Sequence, residues 1–160
     1  MAHFAEIKQE TDPTGITTDT QWIVQRVVVV GNDVVSSDMA PDGEQWCENF
    51  FGGGTWKQTS YNNNFRVRFA GMGYVFDFDK NAFIKPQLFA SWSLDDNYEW
   101  QPPITTPPPV SYTEDGSDQE YFYERYWDES AYQADNTKGW VARGPNDGLY
   151  DWNGSEYVAQ

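Results

Sequence analysis

The sequence predicts a mainly β protein, built of antiparallel sheet and hairpins with one short helix and an extended C-terminal arm, and three observations predict it. Eight Trp, ten Tyr and ten Phe stand against three leucines, Leu88, Leu94 and Leu149; aromatic residues fit a pleated sheet better than a helical bundle. Strand-like runs alternate with stretches rich in Gly, Pro, Asn and Asp, the punctuation of strands and turns. A short motif also recurs: an aromatic residue, Asp or Asn, a polar turn, then a second aromatic. At 160 residues the chain fits one domain, or a compact domain with a small appendage, and can bury a core without metal or disulfide support.

His3 to Ile7 and Trp22 to Val30 read as the first strand pair, with Glu10 to Thr20 as a long hairpin loop. Trp46, Cys47, Phe50 and Phe51 recur at the spacing of one helical face. This predicts a helix over 41–51 that lays its aromatic stripe on the sheet. Asp42 with Gln45 resembles a capping box, and Gly52 supplies the stop. Thr55 to Ser60 reads as a strand, Asn62 to Asn64 as a turn, and Phe65 to Phe69 as a strand placing Arg66 and Arg68 on one face.

The aromatic motif occurs at Phe78–Phe83, Trp127–Tyr132 and Trp152–Tyr157, and more loosely at Leu94–Trp100. Each copy is expected to be a small hairpin in which Asp or Asn accepts turn amides while the flanking rings meet across the strands, contributing ~0.5–1.5 kcal/mol beyond area burial. Gln101 to Pro109 reads as a polyproline segment. The expected division is therefore a β-rich core at 1–103, a Pro-rich linker at 104–109, and an acidic aromatic arm at 110–160. That arm holds too little aliphatic content for a deep core and is expected to lie on a neighbouring subunit or another surface, with disorder in isolation as the competing expectation.

Charge excludes some partners. Net charge is −15, and residues 111–160 carry 11 acids against 3 bases, so phosphate backbones and anionic membranes are repelled. No apolar run is long enough to span a bilayer, and the opening residues carry no export signal. A cytosolic origin, with neither nucleic acid nor membrane as partner, is the expectation.

Catalytic groups are scarce. His3 is the one histidine and Cys47 the one cysteine; on the apolar face of the helix, Cys47 reads as a small buried hydrophobe. Gly52-Gly53-Gly54 lacks the ending of a phosphate loop and reads as a helix stop and turn. Asp77, Asp79 and Asn81 open like a calcium loop, but Ala82 and Leu88 stand where glycine and glutamate are needed. Acidic pairs such as Asp95-Asp96 and Glu114-Asp115 read as solvated turns. Neither an enzyme nor a cofactor is expected.

The blocks Met1 to Ile7, Phe51 to Arg66, Ala70 to Tyr74, Ala82 to Gln87 and Ser91 to Asp95 resemble a family of small proteins encoded by marine tailed phages, particularly those of cyanobacteria. The resemblance covers most of residues 1–103 and departs at Glu10 to Thr20 and in the arm. It implies a phage protein and supplies no catalytic residues.

A polar, aromatic-stapled domain with an arm suits docking on a repetitive assembly. The expected function is thus a virion accessory component, decorating the capsid or attached to the tail or fibres, made in the host cytoplasm. It would contact other virion proteins or further copies of itself. Trp92, Trp100, Tyr121, Tyr123, Trp127 and Trp152 are the expected contacts, with Arg66 and Arg68 as cationic anchors. Glycan recognition by exposed aromatic rings, and a non-virion protein that binds a host factor, are the rival expectations.

Overall fold

The computed structural model describes all 160 residues, Met1 to Gln160. They form two compact units: Met1–Leu88 with Leu94–Trp100, and Phe89–Ser93 with Gln101–Gln160. The fold is mainly β and antiparallel, with two α-helices.

In the first unit, β1 (Ala2–Thr11), β2 (Thr20–Val30), β3 (Thr55–Thr59), β4 (Val75–Asp77) and β5 (Ala82–Ile84) form one sheet in the order β3-β1-β2-β4-β5. The hairpin β1–β2 runs further than expected, because Asp12 closes its turn tightly. Its carboxylate accepts hydrogen bonds from the Thr14 N–H at 2.9 Å, the Thr14 hydroxyl at 2.7 Å and the Thr17 N–H at 3.0 Å. The loop therefore shrinks to an Asx-type turn.

Packing on both faces explains why β2 is apolar at consecutive positions, and a β-bulge sets which of its residues share a face. Glu6 pairs with Arg26 and Ile7 with Val24, leaving Gln25 as the extra residue, and an extra residue reverses the alternation of the strand beyond it. Val28 and Val30 therefore join Ala2, Phe4, Cys47 and Trp56 on one face of the sheet. Val27, Val24 and Trp22 join Ala5, Ile7, Ala70, Phe76 and Phe83 on the other. The sheet is packed on both sides.

Helix α1 (Pro41–Phe51) covers the first of these faces within the bounds the periodicity predicts. Its start differs from the expected capping box. Ala40 is the N-cap with no side-chain bond, and Pro41 opens the helix, where its missing N–H costs nothing. Asp42 instead accepts from the Ser36 N–H at 2.7 Å. Gly43 allows close approach, since a Cβ there would lie 2.4 Å from the Phe4 ring. Gly52, at φ 77°, ends the helix by donating its N–H to the Glu48 carbonyl, as a left-handed glycine does.

The aromatic stripe packs only in part. Phe51 stacks on Trp56 with centroids 4.8 Å apart, whereas Phe50 is 67 % exposed and stacks on Trp46. Cys47 is fully buried, and burial reinforced by the nearby Glu44 charge pushes its thiol up to about 11. A thiol reagent at pH 7.5 is expected to leave the folded chain unlabelled and to react at once after denaturation. Rapid labelling of the native chain would contradict this placement.

Residues 65–69 are not the expected strand. Arg66 and Val67 both have positive φ, 55° and 69°, which turns the chain so that Arg66 can bridge the two edges of the sheet. Its carbonyl accepts from the Phe83 N–H of β5 at 3.2 Å, and its guanidinium donates to the Gln58 carbonyl of β3 at 2.7 Å. One residue thus closes the gap between edge strands, and left-handed backbone at a β-branched valine is the strain that accompanies it.

A hairpin of β6 (Ser93–Leu94) and β7 (Trp100–Gln101) follows. Asp95 organises its turn, accepting from the N–H groups of Asn97 at 2.8 Å and Glu99 at 2.9 Å.

In the second unit, β8 (Ser111–Thr113) and β9 (Glu120–Phe122) form a hairpin. Then β10 (Glu124–Trp127), α2 (Glu129–Ala134), β11 (Trp140–Arg143), β12 (Leu149–Trp152) and β13 (Tyr157–Ala159) follow, the four strands making a sheet in sequence order. The expected arm at 110–160 is therefore part of a folded unit, which also takes in residues 101–109 and Phe89–Ser93 from the expected linker and core. The missing aliphatic core is replaced by rings: Trp127 and Trp140 are buried, 5.5 Å apart and edge to face. The Pro-rich segment is tied into this unit. Ile104 accepts a bond from Trp140 Nε1 at 3.0 Å, Pro107 is buried, and its carbonyl accepts from the Arg125 guanidinium.

Of the four motif copies, the looser Leu94–Trp100 and Trp152–Tyr157 are hairpins as expected, the second with its rings 5.0 Å apart and Asn153 accepting from the Ser155 and Glu156 N–H groups. At Phe78–Phe83 the stapling pair is instead Phe76 with Phe83, and Asp77 is the residue that accepts the turn amide. The copy at Trp127–Tyr132 is the start of a helix. Asp128 is the N-cap of α2, accepting from the Ala131 N–H at 2.9 Å, the commoner use of Asp before a helical turn.

Candidate functional site

Strand register sorts the second unit's sheet into two unlike faces. Tyr126, Val141, Asp151 and Val158 are opposed across the four strands, so they share one face, together with Glu124, Arg143 and Leu149. The other face carries Arg125, Trp127, Trp140, Ala142, Tyr150, Trp152 and Tyr157.

The second face is the interior of the unit. Tyr123, immediately before β10, stacks on Tyr157 at 4.6 Å and meets Tyr150 at 5.2 Å and Tyr112 at 5.0 Å. Gly144 makes room, since a Cβ there would stand 2.3 Å from the Tyr123 ring. Burial first, and the neighbouring phenols next, push the Tyr123 hydroxyl above its ordinary range, so it stays protonated at neutral pH.

The first face is open. Tyr126, Leu149 and Val158 expose 43, 42 and 46 % of their surface around the buried Val141, with Glu124 and Arg143 at one margin. Apolar side chains spread over neighbouring strands and edged by charge make a surface suited to a protein partner.

The expected contact residues fall mostly elsewhere. Trp127 is 5 % exposed and lies in the core of the second unit. Tyr121 is half-buried against Tyr112, Tyr123 lies in the ring stack, and Trp152 is half-buried against Tyr157. Trp92 packs on Phe89 and Trp127, and Trp100 donates its Nε1–H to the Lys85 carbonyl at 2.8 Å.

Neither arginine is a free anchor. The Arg66 side chain is 6 % exposed and bonds Glu44 at 2.9 Å; Arg68 is 8 % exposed and donates to the Tyr98 carbonyl at 2.7 Å. Both guanidinium groups are buried within the first unit, which removes them as the exposed cationic anchors expected from sequence. Nothing in the sequence singles out the exposed residues Tyr126, Leu149 and Val158, because alternation along a strand shows two faces without saying which one is covered.

Glu129 fastens the second unit from behind. It accepts hydrogen bonds from the Ser91 N–H at 3.1 Å, the Ser91 hydroxyl at 2.6 Å, Trp127 Nε1 at 2.9 Å and Gln133 Nε2 at 2.8 Å. Burial pushes this carboxyl up, but the bonds from Ser91, Gln133 and Trp127 together outweigh it and hold it below the usual range.

A carboxylate whose folded value is depressed contributes stability at pH above its unfolded value, and that contribution is lost as pH falls through the folded one. Glu129→Gln is therefore expected to lower stability at neutral pH and to flatten the loss between neutral and acid pH. Denaturant titrations at several pH values check both effects, and an unchanged acid limb would contradict them.

The calcium-like loop is occupied by an internal pair: Lys80 bonds Asp77 at 2.7 Å. No family model, curated protein or solved structure matches the chain.

Proposed function

We propose that the chain is an accessory structural component of a tailed-phage particle, held on the capsid or the tail by protein–protein docking through the open sheet face of its second unit. The observation that carries this reading is the exposed set Tyr126, Leu149 and Val158 on one face of a folded sheet, grouped around the buried Val141, while the opposite face is filled with rings. The resemblance of residues 1–103 to marine phage proteins supplies the setting. An acidic surface, net −15, suits dense repetition of a soluble component without adhesion to the packaged nucleic acid.

Mass spectrometry of gradient-purified particles tests the reading directly, with the chain expected at a constant ratio to the capsid or tail proteins. Abundance in infected lysate with absence from particles would favour a host-factor partner instead. The docking face has its own test. Tyr126→Asp combined with Leu149→Asp places charge where apolar contact is required, and is expected to weaken co-sedimentation with particles by about tenfold or more, as loss of central interface contacts does. Undiminished association would remove this face from the reading.

A further inference from the structure

The first unit contains a cleft of about 740 Å³ between segment 67–74 and turn 96–99, a volume within the roughly 300–1,000 Å³ of small-molecule sites. Tyr74 forms an apolar wall. Gly71 seats that ring against the main chain, because a Cβ at this position would stand 2.8 Å from Tyr74 Cε1.

The polar part of the lining is organised by hydrogen bonds and ion pairs. Arg68, more than nine-tenths buried, donates through Nη2 to the Tyr98 carbonyl at 2.7 Å and holds Glu99 through Nη1 at 3.2 Å, while its Nε has no hydrogen-bond acceptor in the chain. Glu99 is shared, its second oxygen lying 3.0 Å from Lys85 Nζ. Tyr98 is kept at φ 58°, a left-handed conformation that few non-glycine residues adopt, which aims its carbonyl at Arg68. At the rim, Asp96 and Asn97 hold exposed side chains, and Asn97 bonds the chain only through its main-chain groups.

Charge narrows the ligand class. Arg68 and Lys85 balance Asp96 and Glu99, so this cleft is formally neutral in a protein of net charge −15 and selects neither an anion nor a cation. What it offers is aromatic surface, from Tyr74, Phe69 and Tyr98, in one cleft with closely spaced donors and acceptors. A hydroxyl both donates and accepts, and a pyranose ring presents an apolar face of C–H groups beside several hydroxyls. We propose that the cleft binds a neutral saccharide, its ring laid on Tyr74 and its hydroxyls shared among Asp96, Asn97 and the Arg68 guanidinium. The site lies wholly in the first unit and stands independently of the docking face of the second.

The test uses the full chain, titrated by two-dimensional NMR with maltotriose, cellotriose, mannotriose and galactotriose, and with sialyllactose and glucosamine as charged controls. At least one neutral trisaccharide is expected to shift the signals of Tyr74, Asp96 and Asn97 in a saturable way and to bind more tightly than either charged sugar. Asp96→Ala and Asn97→Ala, surface changes that leave the fold intact, are each expected to weaken binding by about tenfold, the loss of a well-placed hydrogen bond. Gly71→Ala, which displaces the Tyr74 ring, is expected to abolish it. Absence of saturable shifts with all four neutral sugars, preference for a charged one, or affinity unchanged in all three variants would overturn the proposal.

Discussion

Glu44→Ala is expected to destabilise the first unit by about 3 kcal/mol or more, the cost of leaving a buried cation without its partner. Glu44, 15 % exposed at its side chain, bonds Lys57 Nζ at 2.8 Å and Arg66 Nη1 at 2.9 Å, and accepts the Gln58 N–H at 3.1 Å. It therefore performs two tasks at one sheet edge. The carboxylate neutralises the arginine that spans β3 and β5, and it satisfies a main-chain donor of β3 that no further strand can reach, which also blocks pairing with another chain.

Glu44→Gln separates these tasks, since the amide oxygen can still accept the Gln58 N–H while the charge is gone. It should retain part of what Glu44→Ala loses. Chemical denaturation measures both, and amide exchange in β3 and β5 assigns the loss to this unit. A cost below about 1 kcal/mol, the range of exposed pairs, would mean that water screens the cluster and that Arg66 does not hold the sheet closed.

The second large effect is expected at Trp127, where Trp127→Ala should remove about 3–5 kcal/mol from the second unit, as large-to-small changes at buried aromatic positions do. This ring meets Trp140, Trp92 and Tyr132 at centroid distances of 5.5, 6.2 and 5.3 Å, and its Nε1 donates to Glu129. With Leu nearly absent, no aliphatic side chain stands ready to fill the space.

Gly139→Ala approaches the same core from the opposite side. Its φ is 140°, and an added Cβ would stand 2.5 Å from Trp127 Cη2, so the substitution must displace either the ring or the strand carrying it. Loss of near-ultraviolet circular dichroism together with fast amide exchange in β10 and β11, with the first unit still protected, is the expected signature for both variants. A cooperative unfolding transition unchanged in Trp127→Ala would show that these rings are not the core of the second unit.

The two positions illustrate how legibility varied along the chain. Helix α1 was readable because Trp46, Cys47, Phe50 and Phe51 repeat at a local period and glycine ends the run. The Trp152–Tyr157 hairpin was readable because its turn chemistry is contained in six neighbouring residues. By contrast, the same motif at Trp127–Tyr132 opens a helix, since Asp serves an N-cap as readily as a hairpin turn. The strand expected at 65–69 was lost to partners distant in sequence, with Glu44, Gln58 and Phe83 together drawing Arg66 into a left-handed bend.

The site residues show the same limit more sharply. Aromatic content at 121–157 was plain, but Trp127 turned inward and its neighbour Tyr126 outward. The sense of that alternation is fixed by strand register and by what packs behind the sheet. Likewise nothing local places Tyr74 in one cleft with Asp96 and Asn97; the 93–101 hairpin brings them there.

From sequence alone came the β class, the short helix at 41–51 and the acidic character, because period, propensity and charge are properties of short stretches or of simple sums. Tertiary structure decided which rings are core and which are surface, that residues 101–160 fold into a unit together with Phe89–Ser93, and that both candidate arginines are buried. Burial is a relation between segments far apart in the chain, and an aromatic side chain or a guanidinium is compatible with either side of it until those segments meet.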